Sequence, residues 1–412
     1  MHDVFEDTDQ AFVTGSYRTV DPAETLRRIQ PLLRLTGITR VANVTGMDAV
    51  GIPTVIVTRP NSRSLSVSQG KGADLLSAKV SGIMESIEQW HAERVEGPLR
   101  LGSLSDLAGR LRFVDVNRLP QFVEPYQPTD RILWIEGHEV VSGEAIWLPY
   151  EMVHLDLTLP LPEGSGRFVI GSNGLASGNH PLEALAHGLC EVIERDATTL
   201  FYFLPWELQW KRRLDLDTVD DPVCRGLLEA FHRAEVDVAV WETTSDVGVP
   251  SYLCSVLDRL ASSFQSVGLA RGAGCNPLPA LALARALTEA AQSRLTRIVG
   301  TRDDIQSEDF AALQSAAKYE EHRAQMAAPR TPPLRFEGGG TVPGATLRDH
   351  VTWTCERLRA VGVGPVIAVD LSRPSLPISV VRTVVPGLEA LSEVRGYRPG
   401  ERAQRLLAEV QN

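Results

Sequence analysis

The sequence predicts a mixed α/β protein, of α/β or α+β type. Three long segments, at 73–95, 181–200 and 280–299, carry apolar residues at helical spacing. Between them lie short apolar runs, such as IPTVIVTRP and VGPVIAVDL, with the texture of strands. Hydrophobic residues make up 43% and charged residues 23% of the 412 positions, the balance of a folded globular chain. Helices and strands alternate throughout, which favours sheets covered by helices. No short repeat interrupts this order, so residues 1–412 read as a single unit.

Residues 21–35 read as an amphipathic helix, with Asp21 as N-cap and Pro22 in its first turn. ITRVANVTG and IPTVIVTRP follow as strands. In the helix over 73–95, Leu76, Val80, Ile83, Ile87 and Trp90 define the buried stripe. Residues 131–150 predict a β-hairpin turning at Ser142-Gly143. The second long helix begins at Pro181, with Leu182, Leu185, Leu189 and Val192 on its apolar face. VDVAVWETT and SYLCSVL are strand-like, and a third helix spans about Ala280 to Val299. Residues 303–345 change character, from a charged helical stretch to the loop PRTPPLRFEGGGTVPG. Residues 346–412 return to α/β texture, with VGPVIAVDL and ISVVRTVVPG as strands.

Composition excludes several function classes. Formal net charge is −11, so a surface that reads phosphates of nucleic acid, or an anionic membrane, is not expected. No apolar run approaches the length of about 20 residues that a membrane helix needs. The start, MHDVFEDTDQ, lacks the basic-then-apolar order of a secretory signal. Cys190, Cys224, Cys254, Cys275 and Cys355 form no CxxC pair and read as buried reduced thiols, so a cytoplasmic location is expected.

The chemistry centres on a doubled ExxE. Glu85 and Glu88 lie on the first long helix, Glu191 and Glu194 on the second, and a spacing of three puts each pair on one face. Glu183, His187, Glu191 and Glu194 continue down one side of the second helix. A single ExxE is usually a solvated surface. Here each pair follows a glycine-rich polar segment, Ser66–Gly72 and Gly171–Asn179, read as loops feeding helix N-termini that favour anions. Two such loops beside four carboxylates predict a magnesium-nucleotide site. No GxxxxGK[ST] motif occurs, because Lys71 precedes Gly72.

SVSQGKGADLLSAKVSGIMESIEQWHAE resembles the first ATP-binding motif of the YcaO family. GSNGLASGNHPLEALAHGLCEVIERDA resembles the second motif, and ALALARALTEAAQSR the third. The resemblance runs from about residue 15 to 390, with the ATP motifs within 15–302. It implies the YcaO fold, mixed sheets and helices around a central Mg-ATP cleft, and ATP-dependent activation of a peptide backbone amide. A nucleophile adds to the carbonyl, ATP phosphorylates the oxygen, and loss of phosphate gives an azoline, a thioamide or a macrocyclic amidine.

Carried over by position, the resemblance implies Glu85, Glu88, Glu183, Glu191 and Glu194 as magnesium ligands. Arg18, Thr25, Ser66, Lys71, Asn179, Arg195, Arg285 and Gln292 become nucleotide contacts, with Arg294 as a looser candidate. Glu191, Glu194 and Arg195 stand closest to the chemistry. Family members often have a hydroxyl three positions before the motif asparagine; here that position is Ala176, and the serine is Ser177. The chain ends RLLAEVQN, without the proline-rich tail of many azoline-forming members, and no fused leader-binding domain is expected.

Residues 33–92 most resemble YcaO proteins encoded with a TfuA partner, a group linked to thioamide formation. The expected partners are a ribosomally made precursor peptide, a TfuA-like protein and a second copy of the chain. The alternative is a non-catalytic, ATP-binding accessory scaffold, which would tend to lose members of the carboxylate set. His91, His154, His180 and His187 read mainly as packed histidines, with His187 the best candidate base. Cys190 reads as a core thiol, and Trp90, Trp134, Trp147 and Trp206 as core or interface anchors.

Overall fold

In a computed structural model the described residues are 18–122, 124–260, 267–304, 315–327, 333–338, 346–390 and 396–411. The chain opens with two short helices, α1 (Pro22–Ile29) and α2 (Leu32–Thr36). Asp21 caps α1 by accepting from Ala23 N, as expected, but the single helix over 21–35 is broken at Gln30-Pro31. Strands β1 (Arg40–Asn43), β2 (Thr54–Thr58) and β3 (Val67–Lys71) form an antiparallel sheet in that order.

The first long helix, α3, spans Leu75–Ala92 and lies on β3. Five residues of the first glycine-rich segment, Val67–Lys71, are thus a strand and not an anion-binding loop. Its glycine serves packing: a Cβ on Gly70 would sit 2.7 Å from Gly82 Cα, and closer still to the Ala78 carbonyl. The N-terminus of α3 is satisfied by Asp74, whose carboxylate accepts from Ser77 N at 2.8 Å.

Beyond α3 come β4 (Leu99–Gly102), α4 (Leu104–Leu107) and the expected hairpin, β5 (Ile132–Glu139) and β6 (Ala145–Pro149). Its turn places Gly143 at φ 75°. The second glycine-rich segment also holds a strand, β7 (Leu175–Gly178), and feeds α5 (Pro181–Phe203). The side chain of His180 caps α5 by accepting from Leu182 N.

Then follow α6 (Trp206–Trp210), β8 (Leu214–Asp215), α7 (Pro222–Arg233) and strands β9 (Val236–Glu242), β10 (Ser251–Asp258) and β11 (Ala270–Cys275). The third long helix, α8, spans Pro279–Val299. The region 303–345 yields α9 (Ala316–Met326) and β12 (Leu334–Arg335); 305–314, 328–332 and 339–345 lie outside the described residues. The rest is α10 (Leu347–Ala360), β13 (Ile367–Asp370), β14 (Ser379–Val384) and α11 (Glu401–Gln411).

A six-stranded antiparallel sheet runs β4-β5-β13-β14-β7, with β6 also on β5, and a third sheet runs β11-β10-β9. One core lies between α3 and the first two sheets, around Val55, Ile83, Ile87 and Trp134. A second gathers Leu185, Leu189, Val351 and Val381 from α5, α10 and β14. The third joins α7 and α8 to β9–β11 through Phe231, Val240 and Leu287. Leu189 is 1% exposed, as its place in the apolar stripe predicts. Trp134, Trp147 and Trp90 are buried, whereas Trp206 is 39% exposed and is not a core residue of this chain. All five cysteines are reduced and buried.

Asp196 on α5 is fully buried and accepts from Arg402 Nε at 2.9 Å and Nη2 at 3.0 Å, fastening α11 to the back of α5. Among the described residues no helix is long and apolar enough to cross a membrane.

Candidate active site

Helices α3, α5 and α8 each lie on a strand and present one face to a common cleft of about 950 Å³. The α3 face contributes Glu85 and Glu88, and the α5 face Glu183, His187, Glu191, Glu194 and Arg195. From α8 come Arg285, Glu289 and Gln292, while β3 adds Gln69 and Lys71. The 4, 4, 3 spacing on α5 and the 4, 3 spacing on α8 therefore mark cleft faces and not solvated surfaces.

The two acidic rims face each other closely enough to interact. Burial, and then repulsion from Glu85, push the Glu88 carboxyl well above its usual range, with Glu191 adding to the effect. Burial raises Glu85 to about 7, against the pull of Lys71. Burial likewise raises Glu191 to about 6, opposed by Arg195 and reinforced by Glu194. Glu194 moves the same way for the same leading reason. Glu289 is the contrast: burial opposes its ionisation, but Lys71 and Arg195 hold it down to about 2.

The fixed cations complete the floor. Arg195 lies 3.8 Å from Glu191 and 3.7 Å from Glu194. Lys71 pairs with Glu289, and Arg285 donates to His187 Nε2 at 3.0 Å. Burial and the Arg285 charge push His187 well below its usual value, so it is neutral. With one ring nitrogen accepting from Arg285, His187 supports that guanidinium and is not poised as a base.

Ser177, the hydroxyl that follows Ala176, donates to Glu88 at 2.8 Å. Gln292 donates to Gln69 at 3.2 Å. Asn179 donates to Thr25 at 3.1 Å, and neither residue is among those lining the cleft. Ser66 donates to Asp303 at 2.8 Å, also away from the lining. Arg294 is 3% exposed, pairs with Asp48 and Asp258 at 3.0 and 2.9 Å, and is not among the residues lining the cleft.

Sequence reasoning missed Arg382. It is 1% exposed, donates to the Gly171, Asn173 and Val153 carbonyls at 2.8–2.9 Å, and its charge acts on Glu88 and Glu191 from behind. A lone arginine inside the apolar strand ISVVRTVV was the available signal.

The donor set suits a magnesium-nucleotide. Among the described residues, no three of His, Cys, Asp or Glu converge tightly enough to hold an ion unaided. Magnesium is usually held by one or two carboxylates, with phosphate oxygens and water completing its octahedron. In the cleft lining, Gln69 Nε2 and Arg285 Nε are buried donors without a partner among the described residues, the complement of an oxygen-rich anion.

Facing carboxylates over a cationic floor define the class: a site for a metal-bridged polyphosphate. Residues 69–389 match the family described as YcaO cyclodehydratase, ATP- and Mg2+-binding, and the chain belongs to it. It is 36% identical over 384 residues to an uncharacterised protein in the tfuA 3′ region of Rhizobium leguminosarum bv. trifolii, covering 90% of this chain and 88% of that one. An uncharacterised Methanothermobacter thermautotrophicus protein is 31% identical over 389 residues, covering 91% and 96%.

The fold is similar to that of YcaO from Methanopyrus kandleri bound with AMPPCP and Mg2+, at TM-score 0.72 and 24% identity, covering 96% and 99%. It is also similar to a heterocyclase in complex with substrate and cofactor, at TM-score 0.76 and 21% identity. That match covers 94% of this chain but 55% of the heterocyclase.

Proposed function

We propose that this chain is an enzyme that uses Mg-ATP to phosphorylate the oxygen of a peptide backbone amide during biosynthesis of a ribosomally made, post-translationally modified peptide. The observation that carries the reading is the pair of acidic rims on separate helices, opposed across one cleft with Arg195, Lys71 and Arg285 in its floor. An amide oxygen is a poor leaving group, and phosphorylation makes it a good one. Bound ATP supplies the phosphoryl group and magnesium the neutralisation of its oxygens.

Glu85, Glu88, Glu191 and Glu194 would hold the metal. Arg195, set between Glu191 and Glu194, and Lys71, steadied by Glu289, bring positive charge to the same floor. His187 fixes the Arg285 guanidinium.

A thioamide, an azoline and a macrocyclic amidine are the products this chemistry allows. The tfuA-adjacent relative supports the thioamide, with a TfuA-like protein as partner; a homodimer and a cytoplasmic setting complete the proposal. The test is mass spectrometry of a candidate precursor peptide incubated with enzyme, ATP and Mg2+, with and without sulfide and a TfuA-like protein. Loss of one water marks ring closure, and exchange of oxygen for sulfur marks a thioamide. An 18O label in the backbone amide should appear in released phosphate. Nucleotide binding with no ADP release and no mass change would leave an accessory scaffold.

A further inference from the structure

The five acidic candidates do not have equal surroundings. Glu183 is 4% exposed, and its carboxylate is already occupied by donors. Arg18 Nη1 donates to Oε1 at 3.0 Å, and Asn179 Nδ2 approaches the same oxygen at 3.5 Å. Thr19 gives its backbone N–H to Oε2 at 3.1 Å and its hydroxyl at 2.8 Å. A carboxylate offers about four lone-pair sites, so these donors leave no natural place for a cation.

Position along the helix separates Glu183 further. It precedes Glu191 by eight residues, about 12 Å of helical rise, whereas Glu191 and Glu194 are within one turn. Magnesium–oxygen bonds are about 2 Å, and paired catalytic metals sit about 4 Å apart.

We infer that Glu183 is a positioning residue that holds Arg18 and the backbone of Thr19 against the cleft, and that Glu85, Glu88, Glu191 and Glu194 form the metal site without it. Asn179 extends the same clamp: it binds Thr25 at 3.1 Å, and Thr25 Oγ1 in turn donates to the Asp21 carbonyl at the start of α1. Glu183 thereby turns residues 18–21 into a wall of the nucleotide site, with the half-buried Arg18 as its cation. The inference rests on the magnesium-nucleotide reading of the cleft, and not on which peptide is modified.

The test is calorimetry of AMPPCP binding to the full chain over a magnesium series, for Glu183→Gln, Arg18→Met, the double variant and Glu191→Gln. Glu183→Gln and Arg18→Met should each weaken AMPPCP by about tenfold, the effect of losing one charge-assisted contact. Both should leave the magnesium half-saturation point at the parental value. The double variant should be no weaker than the worse single one, because both remove the same contact. Glu191→Gln should shift the magnesium half-point. Hydrogen exchange at the Thr19 amide should quicken in Glu183→Gln.

A magnesium shift in Glu183→Gln as large as that in Glu191→Gln, with none in Arg18→Met, would overturn the inference; so would additive effects of the two single changes. Arg18→Met reports on the clamp from its more exposed side even where Glu183→Gln impairs folding. A parent that binds AMPPCP with magnesium but modifies no peptide would count against the proposed activity and leave this assignment standing.

Discussion

Gly70→Ala should damage the enzyme out of proportion to one methyl group. The added Cβ would lie 2.7 Å from Gly82 Cα, with the Ala78 carbonyl and Gly82 nitrogen nearer still. All three are backbone atoms of α3, so no side chain can rotate aside. Ordinary contact begins near 3.4 Å, so helix and strand must part by roughly 1 Å. Overpacking of this kind costs about 3 kcal/mol.

The part that moves carries Glu85 and Glu88, and a misplacement of about 1 Å in positioned groups costs about 100-fold in rate. Urea unfolding followed by tryptophan fluorescence gives the first quantity, and ADP release with Mg-ATP the second. The control is Gly226→Ala, at an exposed position in α7 where a Cβ meets nothing within 4 Å; it should gain about 0.5–1 kcal/mol from helix propensity and leave turnover alone. Parental stability and turnover in Gly70→Ala would refute the claim that glycine is there to bring α3 onto β3.

Three further outcomes follow from the site. Leu189→Ala should lose about 2–5 kcal/mol in the same unfolding assay, since its side chain is 1% exposed in the α5 core; a variant as stable as the parent would mean the helix faces the other way. Glu191→Gln should abolish ADP release while leaving the circular dichroism spectrum unchanged, and unchanged release would remove Glu191 from the metal site. The magnesium-dependent part of AMPPCP affinity should climb as pH rises through about 6 to 7, where Glu191 and Glu85 lose their protons. Because both folded values lie above the ordinary 4.5, the metal-free fold should lose stability as pH rises from about 4.5 through about 7, and Mg-AMPPCP should restore it. Affinity that is flat over the window would contradict the shifts.

The three cleft helices were legible because their apolar stripes repeat over five or six turns. The faces opposite the stripes, read from spacing alone, are the faces that line the cleft. What spacing could not show was why Ser66–Gly72 and Gly171–Asn179 are rich in small residues. Strands such as VSQGK have no apolar alternation, since a helix crosses them at backbone contact, and they therefore looked like anion loops. The break at Pro31 was missed because apolar periodicity continues through it. Arg294 shares helix α8 with Arg285 and Gln292, but its ion pairs come from Asp48 and Asp258, partners remote in sequence. Ser66 is alike: its position before α3 is visible in the sequence, its attachment to the remote Asp303 is not.

The fastening of Arg402 to Asp196 ties α11 to the side of α5 that faces away from the cleft. Asp196 directly follows Arg195, so α11 is anchored one residue away from a guanidinium that lines the cleft.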